Sequence, residues 1–125
     1  MNTTIWVIQG LLSIIFLLVG LVKISQPKEK LKEKVGNWVD DFSANQIRTI
    51  GTLEVLASIV LIFPMILNIF PILTPLAAIG LVLDMTVAAM THLKRKEKKL
   101  VGVNIALLFL ALFVVYGRFV LVPVT

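Results

Sequence analysis

Four apolar segments divide this chain, each near the ~20 residues that a helix needs to cross a bilayer. They lie at about 4–24, 44–63, 75–93 and 100–122, and the connections between them alternate between basic and uncharged. Of the 125 residues, 58% are hydrophobic and only 15% charged, whereas a soluble domain carries about 25% charged residues. A core this small could not hide that much apolar surface from water, which disfavours an ordinary soluble enzyme. The expected fold is therefore all-α: a polytopic membrane four-helix bundle forming one domain over residues 1–125. The first segment lacks a basic start and a small-residue cleavage site leading into a soluble domain. It reads as a retained helix, not a signal peptide.

Local signals mark the helix ends. Ser43 and Gln46 have capping-box spacing at the start of the second segment, which reaches at least Phe63 before Pro64. Pro75 behind a Thr74 cap is a favourable first turn for the third.

Charge placement sets the expected orientation. The 25–43 connection carries Lys28, Lys30, Lys32 and Lys34, and the run Lys94-Arg95-Lys96-Glu97-Lys98-Lys99 follows the third segment. Between the second and third, residues 64–74 hold no charge. Positive-inside bias makes both basic loops cytoplasmic, with the N-terminus and C-terminus outside, as expected for a cell (plasma or inner) membrane protein. The net charge of +5 then needs no nucleic acid: its lysines are topological anchors that attract anionic lipid. Within the first loop, Pro27–Val35 alternates Lys and Glu around Leu31 and suits a short surface helix. Gly36-Asn37 reads as a turn, and Trp38 and Phe42 are expected in the headgroup layer.

The absent chemistry is informative. Zero cysteines and one histidine exclude disulfides, thiolate catalysis, iron–sulfur clusters, Cys-ligated zinc and multi-His metal sites. No nucleophile–base–acid set and no Gly-rich phosphate loop occurs, so the reading leans away from an enzyme.

Polar residues inside the spans are the ones a bilayer should reject, and they recur at helical spacing. Gln9, Ser13, Phe16, Gly20 and Lys23 share one face of the first helix, and Gly51, Glu54 and Ser58 one face of the second. The third aligns Gly80, Asp84, Ala88 and His92; the fourth aligns Asn104, Leu108, Ala111, Val115 and Arg118. Turned inward, these faces make Lys23, Glu54, Asp84, His92, Asn104 and Arg118 candidates for an intramembrane polar cluster that binds a ligand. Depth along the helices groups Lys23, Glu54, His92 and Asn104 near the basic loops, with Asp84 near mid-span and Arg118 towards the other side. Four have a plain structural alternative: Lys23–Glu54 as an ion pair closing the first hairpin, His92 as an interfacial hydrogen-bonding residue, Arg118 as a snorkelling headgroup contact. Asp84 is hardest to dismiss, because mid-span carboxylates mark ligand or proton pathways.

Several of these residues, in this order, resemble the DoxX-like family of small four-helix membrane proteins. The resemblance runs from Phe16, Gly20 and Lys23 through Trp38, Phe42, Arg48, Gly51 and Glu54. It continues with Leu73 to Ala78, Gly80-Leu81, Met85, Ala89 and His92, then Asn104 and Tyr116-Gly117-Arg118. Asp84 has no clear place in that pattern. DoxX/DoxD relatives include subunits linked to thiosulfate–quinone redox chemistry, and distant animal relatives are linked to receptor assembly. The resemblance thus implies a non-catalytic accessory to a membrane redox system that requires no cofactor and binds a quinone or lipid. An assembly subunit pairing with another membrane protein or with its own copies is the alternative. A proton-coupled small exporter is a third reading.

Overall fold

A computed structural model describes residues 1–124, and among these every regular element is helical. In chain order they are α1 (Asn2–Ser25), α2 (Lys28–Val35), a 3₁₀ turn (Asn37–Asp41), α3 (Ala44–Val60), α4 (Phe63–Leu67), α5 (Leu73–Lys94) and α6 (Lys98–Tyr116), which runs on into a π turn (Gly117–Leu121). Helix α4 continues α3, so the membrane-spanning units are Asn2–Ser25, Ala44–Leu67, Leu73–Lys94 and Lys98–Leu121. At ~1.5 Å per residue each exceeds the ~30 Å hydrocarbon core. Their outer surfaces carry Leu18, Leu53, Leu83 and Phe109, all more than half exposed, which is the surface a bilayer solvates and water does not.

The bundle is two antiparallel hairpins, α1 with α3 and α5 with α6, joined more loosely through α3–α5 and α1–α6. Gly20 and Gly51 set the first hairpin. A Cβ on Gly20 would stand 2.7 Å from the Gly51 carbonyl oxygen, and one on Gly51 would stand 2.7 Å from Lys23 Cβ. Backbone therefore meets backbone there, as small residues allow between membrane helices. Leu12, Phe16, Leu61, Ala78, Leu81, Met85, Ala111 and Val114 fill the centre.

Helix α3 starts on the expected capping box: Ser43 Oγ accepts from Gln46 N at 3.1 Å, and Gln46 Oε1 accepts from Ser43 N at 2.9 Å. Its far end is shaped by Pro64, which has no N–H to give the Val60 carbonyl four residues back. Thr74 Oγ1 supplies that bond instead, at 3.0 Å. Two neighbouring carbonyls are met from α1, Ser58 O by Ser13 Oγ and Leu61 O by Gln9 Nε2, each at 2.7 Å. Thr74 is thus a cross-helix donor and not the N-cap of α5, which begins at Leu73.

The inward face of α5 also differs from the expected row. Thr74, Pro75, Ala78, Leu81, Met85 and His92 are buried, while Gly80 is exposed, with nothing within 4 Å of a Cβ position. Gly80 alone leaves the expected row, while Asp84 and Ala88 stay half-buried beside the apolar face.

The first basic connection folds back on the bundle. Leu31, Val39 and Ile47 bury together, and Gly36, at φ +112°, makes the bend that a side chain would resist. Trp38 and Phe42 consequently cover the end of the bundle and are half-buried there.

Candidate functional site

At the basic-loop end the hairpins leave a cavity of about 260 Å³ between them. Its walls are mostly apolar, with Phe16, Met85 and Leu107 deep inside, and Trp38 and Phe42 form its roof. Val19, Val87 and Val103 also border it and are exposed on the outer surface of the bundle. The cavity therefore has an apolar rim on the side that faces lipid.

Its polar lining comes from every spanning unit. Lys23 on α1 donates to Glu54 Oε1 on α3 at 2.7 Å, and the Glu54 side chain is only 2% exposed. The Gly20–Gly51 approach one turn away makes this bond short, since it brings the two helix axes within reach. Asp84 on α5 brings its carboxyl beside that of Glu54. Asn104 on α6 is buried against the same space. His92, at the end of α5, turns Nδ1 to Glu97 Oε1 at 3.1 Å. That contact follows from the tight α5–α6 turn, where Lys96 takes φ +60° and Glu97 N donates back to His92 O at 2.9 Å.

Trp38 ties the roof to this cluster. Its ring lies 5.3 Å from Lys23 Nζ and packs edge-on against Phe42 and His92, with centroids 5.8 and 6.0 Å away. Its Nε1 donates to Val35 O at 2.9 Å, which fixes the ring plane. The roof is fastened from outside by a two-pronged contact, Arg95 Nε to Asp41 Oδ2 at 2.8 Å and Nη2 to Oδ1 at 2.9 Å. That hydrogen bond holds the Asp41 carboxyl below its ordinary range and raises Arg95 in turn. Lys32 does the same for Asp40 through a 2.8 Å contact. Because Asp41 and Arg95 come from the two basic connections, both connections meet at one end of the bundle.

Three buried polar atoms at this end have no hydrogen-bond partner in the protein: Glu54 Oε2, Asp84 Oδ2 and Asn104 Nδ2. Buried polar groups are normally satisfied. Three left open around one cavity mark the place where a ligand's polar atoms fit.

The structure thus brings five of the six sequence candidates together and separates the sixth. Arg118 sits at the opposite, termini end, 1% exposed, so it does not snorkel. The π turn rotates it inward, where Nε donates to Gln9 Oε1 and Nη1 to Asn2 Oδ1, both at 2.6 Å. Trp6 covers the guanidinium at 5.3 Å. Asp84 falls at the middle of α5 (Leu73–Lys94), the depth expected of it, and lines the cavity there. Sequence reasoning missed the roles of Trp38 and Phe42 as cavity roof. The aromatic spacing was visible, but the fold-back at Gly36 that redirects it was not. No group of three or more His, Asp or Glu side chains suited to a metal ion occurs among the described residues.

Comparison with curated proteins and with solved structures finds no match. A family model does match, over residues 7–114, which takes in most of each span, the roof and the five polar residues at the cavity, and stops short of Arg118. With so much of its length covered, this multi-pass membrane protein belongs to the DoxX-like family.

Proposed function

We propose that the bundle holds one small lipophilic molecule with a polar head, a quinone or lipid, as a non-catalytic accessory to a membrane redox system. The observation that carries this reading is the cavity itself: apolar walls and a lipid-facing rim, ending in three unmatched polar atoms. About 260 Å³ lies just below the usual range for drug-sized ligands, roughly 300–1,000 Å³. It therefore suits a single ring-sized head whose tail leaves through the rim. The residues fit such a head: Asn104 Nδ2 can donate to a carbonyl oxygen, and the carboxyl oxygens can accept from a hydroxyl. In this reading the basic loops face the cytoplasm, against anionic lipid of the plasma or inner membrane, and both termini lie outside.

Native mass spectrometry of protein extracted in mild detergent, with its ultraviolet–visible spectrum, tests the reading. A stoichiometric added mass that weakens in Glu54→Gln, while the bundle stays folded, supports it. Equal retention by Glu54→Gln removes Glu54 from the site, and bare wild-type protein overturns the reading.

One observation favours a second role, the assembly subunit. Gly80 and Gly102 lie on exposed parts of α5 and α6 with open space at their Cβ positions, where another membrane helix could approach closely. Crosslinked capture of a membrane partner by protein without added mass would favour it.

A further inference from the structure

Glu54 and Asp84, whose open oxygens the ligand reading offers as acceptors, present a problem of their own before any ligand arrives. Both carboxyls are walled off from solvent at their inner oxygens, Glu54 Oε2 and Asp84 Oδ2, and neither oxygen has a donor. The two groups stand side by side at the polar end of one cavity. Carboxylates accept hydrogen bonds and cannot donate them, so two ionised groups would leave both oxygens unsatisfied and place like charges in contact. One proton resolves both defects at once. It turns one group into a donor to the other and leaves a single negative charge.

The surroundings supply one compensating cation and no second. Lys23 from α1 reaches the pair through Glu54 Oε1, at 2.7 Å. His92, the other titratable group lining the cavity from α5, directs Nδ1 to Glu97 Oε1 at 3.1 Å and not to the pair. From α6 the cavity is lined by uncharged Asn104, and from the roof by Trp38 and Phe42. Arg118 is at the far end, bonded to Gln9 and Asn2. With Lys23 positive, two carboxylates would leave the cluster at a net negative charge inside an apolar wall. A carboxyl–carboxylate pair makes it neutral.

We propose that Glu54 and Asp84 hold one proton between Glu54 Oε2 and Asp84 Oδ2, making the polar end of the cavity a proton-binding site balanced by Lys23. The proton belongs to the pair and not to either residue. A ligand cation or hydroxyl reaching those oxygens competes with it, which links occupancy of the cavity to pH. The site is a property of the protein alone and does not depend on the ligand proposed above.

Infrared difference spectroscopy of the purified protein in lipid nanodiscs, titrated from neutral to alkaline pH, tests it. The exposed acidic side chains are ionised at neutral pH, so the protonated-carboxyl C=O band there should integrate to one group per chain. It should shift in deuterium oxide and vanish as the pair loses its proton. Asp84→Asn should abolish the band at neutral pH, because Lys23 then serves Glu54 alone, and Lys23→Met should double it. Helical circular dichroism and size-exclusion profiles establish that each variant is folded. A wild-type protein with no such band at neutral pH overturns the proposal whatever the variants do. A folded Asp84→Asn protein that keeps the full band overturns it too. Because no ligand is added, failure here leaves the mass-spectrometric result standing, and the reverse also holds.

Discussion

The two ends of the bundle bury similar side chains to opposite effect. At the termini end, Gln9 is bonded through both halves of its amide, to Leu61 O at 2.7 Å and from Arg118 Nε at 2.6 Å. Arg118 adds Asn2 and the face of Trp6, and only its Nη2 lacks a partner. No acidic side chain occurs in α1, α4 or the π turn, so neutral oxygens and an aromatic face carry the guanidinium. Around the basic-loop cavity, Lys23 and Glu54 make one short bond, while three polar atoms are left open. Burial and polarity therefore do not distinguish a structural cluster from a binding site. The balance of donors against acceptors, and the presence of a cavity beside them, does.

The largest effect should come from the contact that supports the cavity end. Gly51→Val places a branched side chain where even a Cβ would stand 2.7 Å from Lys23 Cβ and 2.8 Å from Gly20 O. Neither neighbour is a flexible tip, so α1 and α3 must separate, at a cost of about 3 kcal/mol or more. Thermal unfolding in detergent should show a large loss of stability together with loss of any bound mass. A variant of wild-type stability would mean that this hairpin is not closed by backbone contact.

At the opposite end, Arg118→Met keeps much of the volume but strips Gln9 Oε1 and Asn2 Oδ1 of their donor. Gln9 Oε1 is buried, whereas the exposed Asn2 can turn to water; one unsatisfied buried acceptor costs roughly 1–3 kcal/mol, so the unfolding transition should fall while the folded fraction keeps any bound mass. Should retention fall in step with this substitution, the two ends are coupled and the comparison breaks.

Asn104→Leu should show the reverse pattern. It deletes a buried donor that bonds to nothing in the protein, so stability should hold or rise slightly while ligand retention drops about tenfold, the worth of one hydrogen bond. Equal retention would place the ligand's polar head elsewhere.

These contrasts also explain what could be read in advance. Gln9, Ser13, Gly20 and Lys23 repeat at helical spacing, and bilayer physics turns such a row inward, so the α1 face was legible in the sequence. Of the corresponding row on α5, Asp84, Ala88 and His92 do line the cavity, and Gly80 alone turns outward. Leu81 and Met85 offered the core more apolar area, and hydropathy within a span does not reveal which apolar residues face protein. Thr74 looked like a cap because Pro75 follows it. Its true partner, Val60 O, lies across the turn and is freed only by Pro64. The cavity was not legible at all, since it depends on where two hairpins fail to meet and on the bend at Gly36 that brings Trp38 over the gap.

The smallest effect concerns the roof, and it separates access to the cavity from its affinity. Asp41 and Arg95 are solvent-exposed charges, and contacts of that kind contribute little to global stability. Asp41→Asn should therefore leave the unfolding transition where it is. It should instead release the segment carrying Trp38 and Phe42, so that bound ligand exchanges faster with an unchanged final occupancy. Acid should act in the same way through the same bond. The Arg95 hydrogen bond lowers the Asp41 carboxyl below its ordinary value of 3.8. Its contribution is thus complete above that value and is lost as pH falls through the lower value of the folded state. In a Trp6→Phe background, Trp38 fluorescence should stay constant from neutral pH to 5 or so and change only under stronger acid. The Asp41→Asn protein should lack that acid step. If its fluorescence already differs at neutral pH while exchange is no faster, the ligand enters through the lipid-facing rim formed by Val19, Val87 and Val103, and the roof only shields the polar cluster from water.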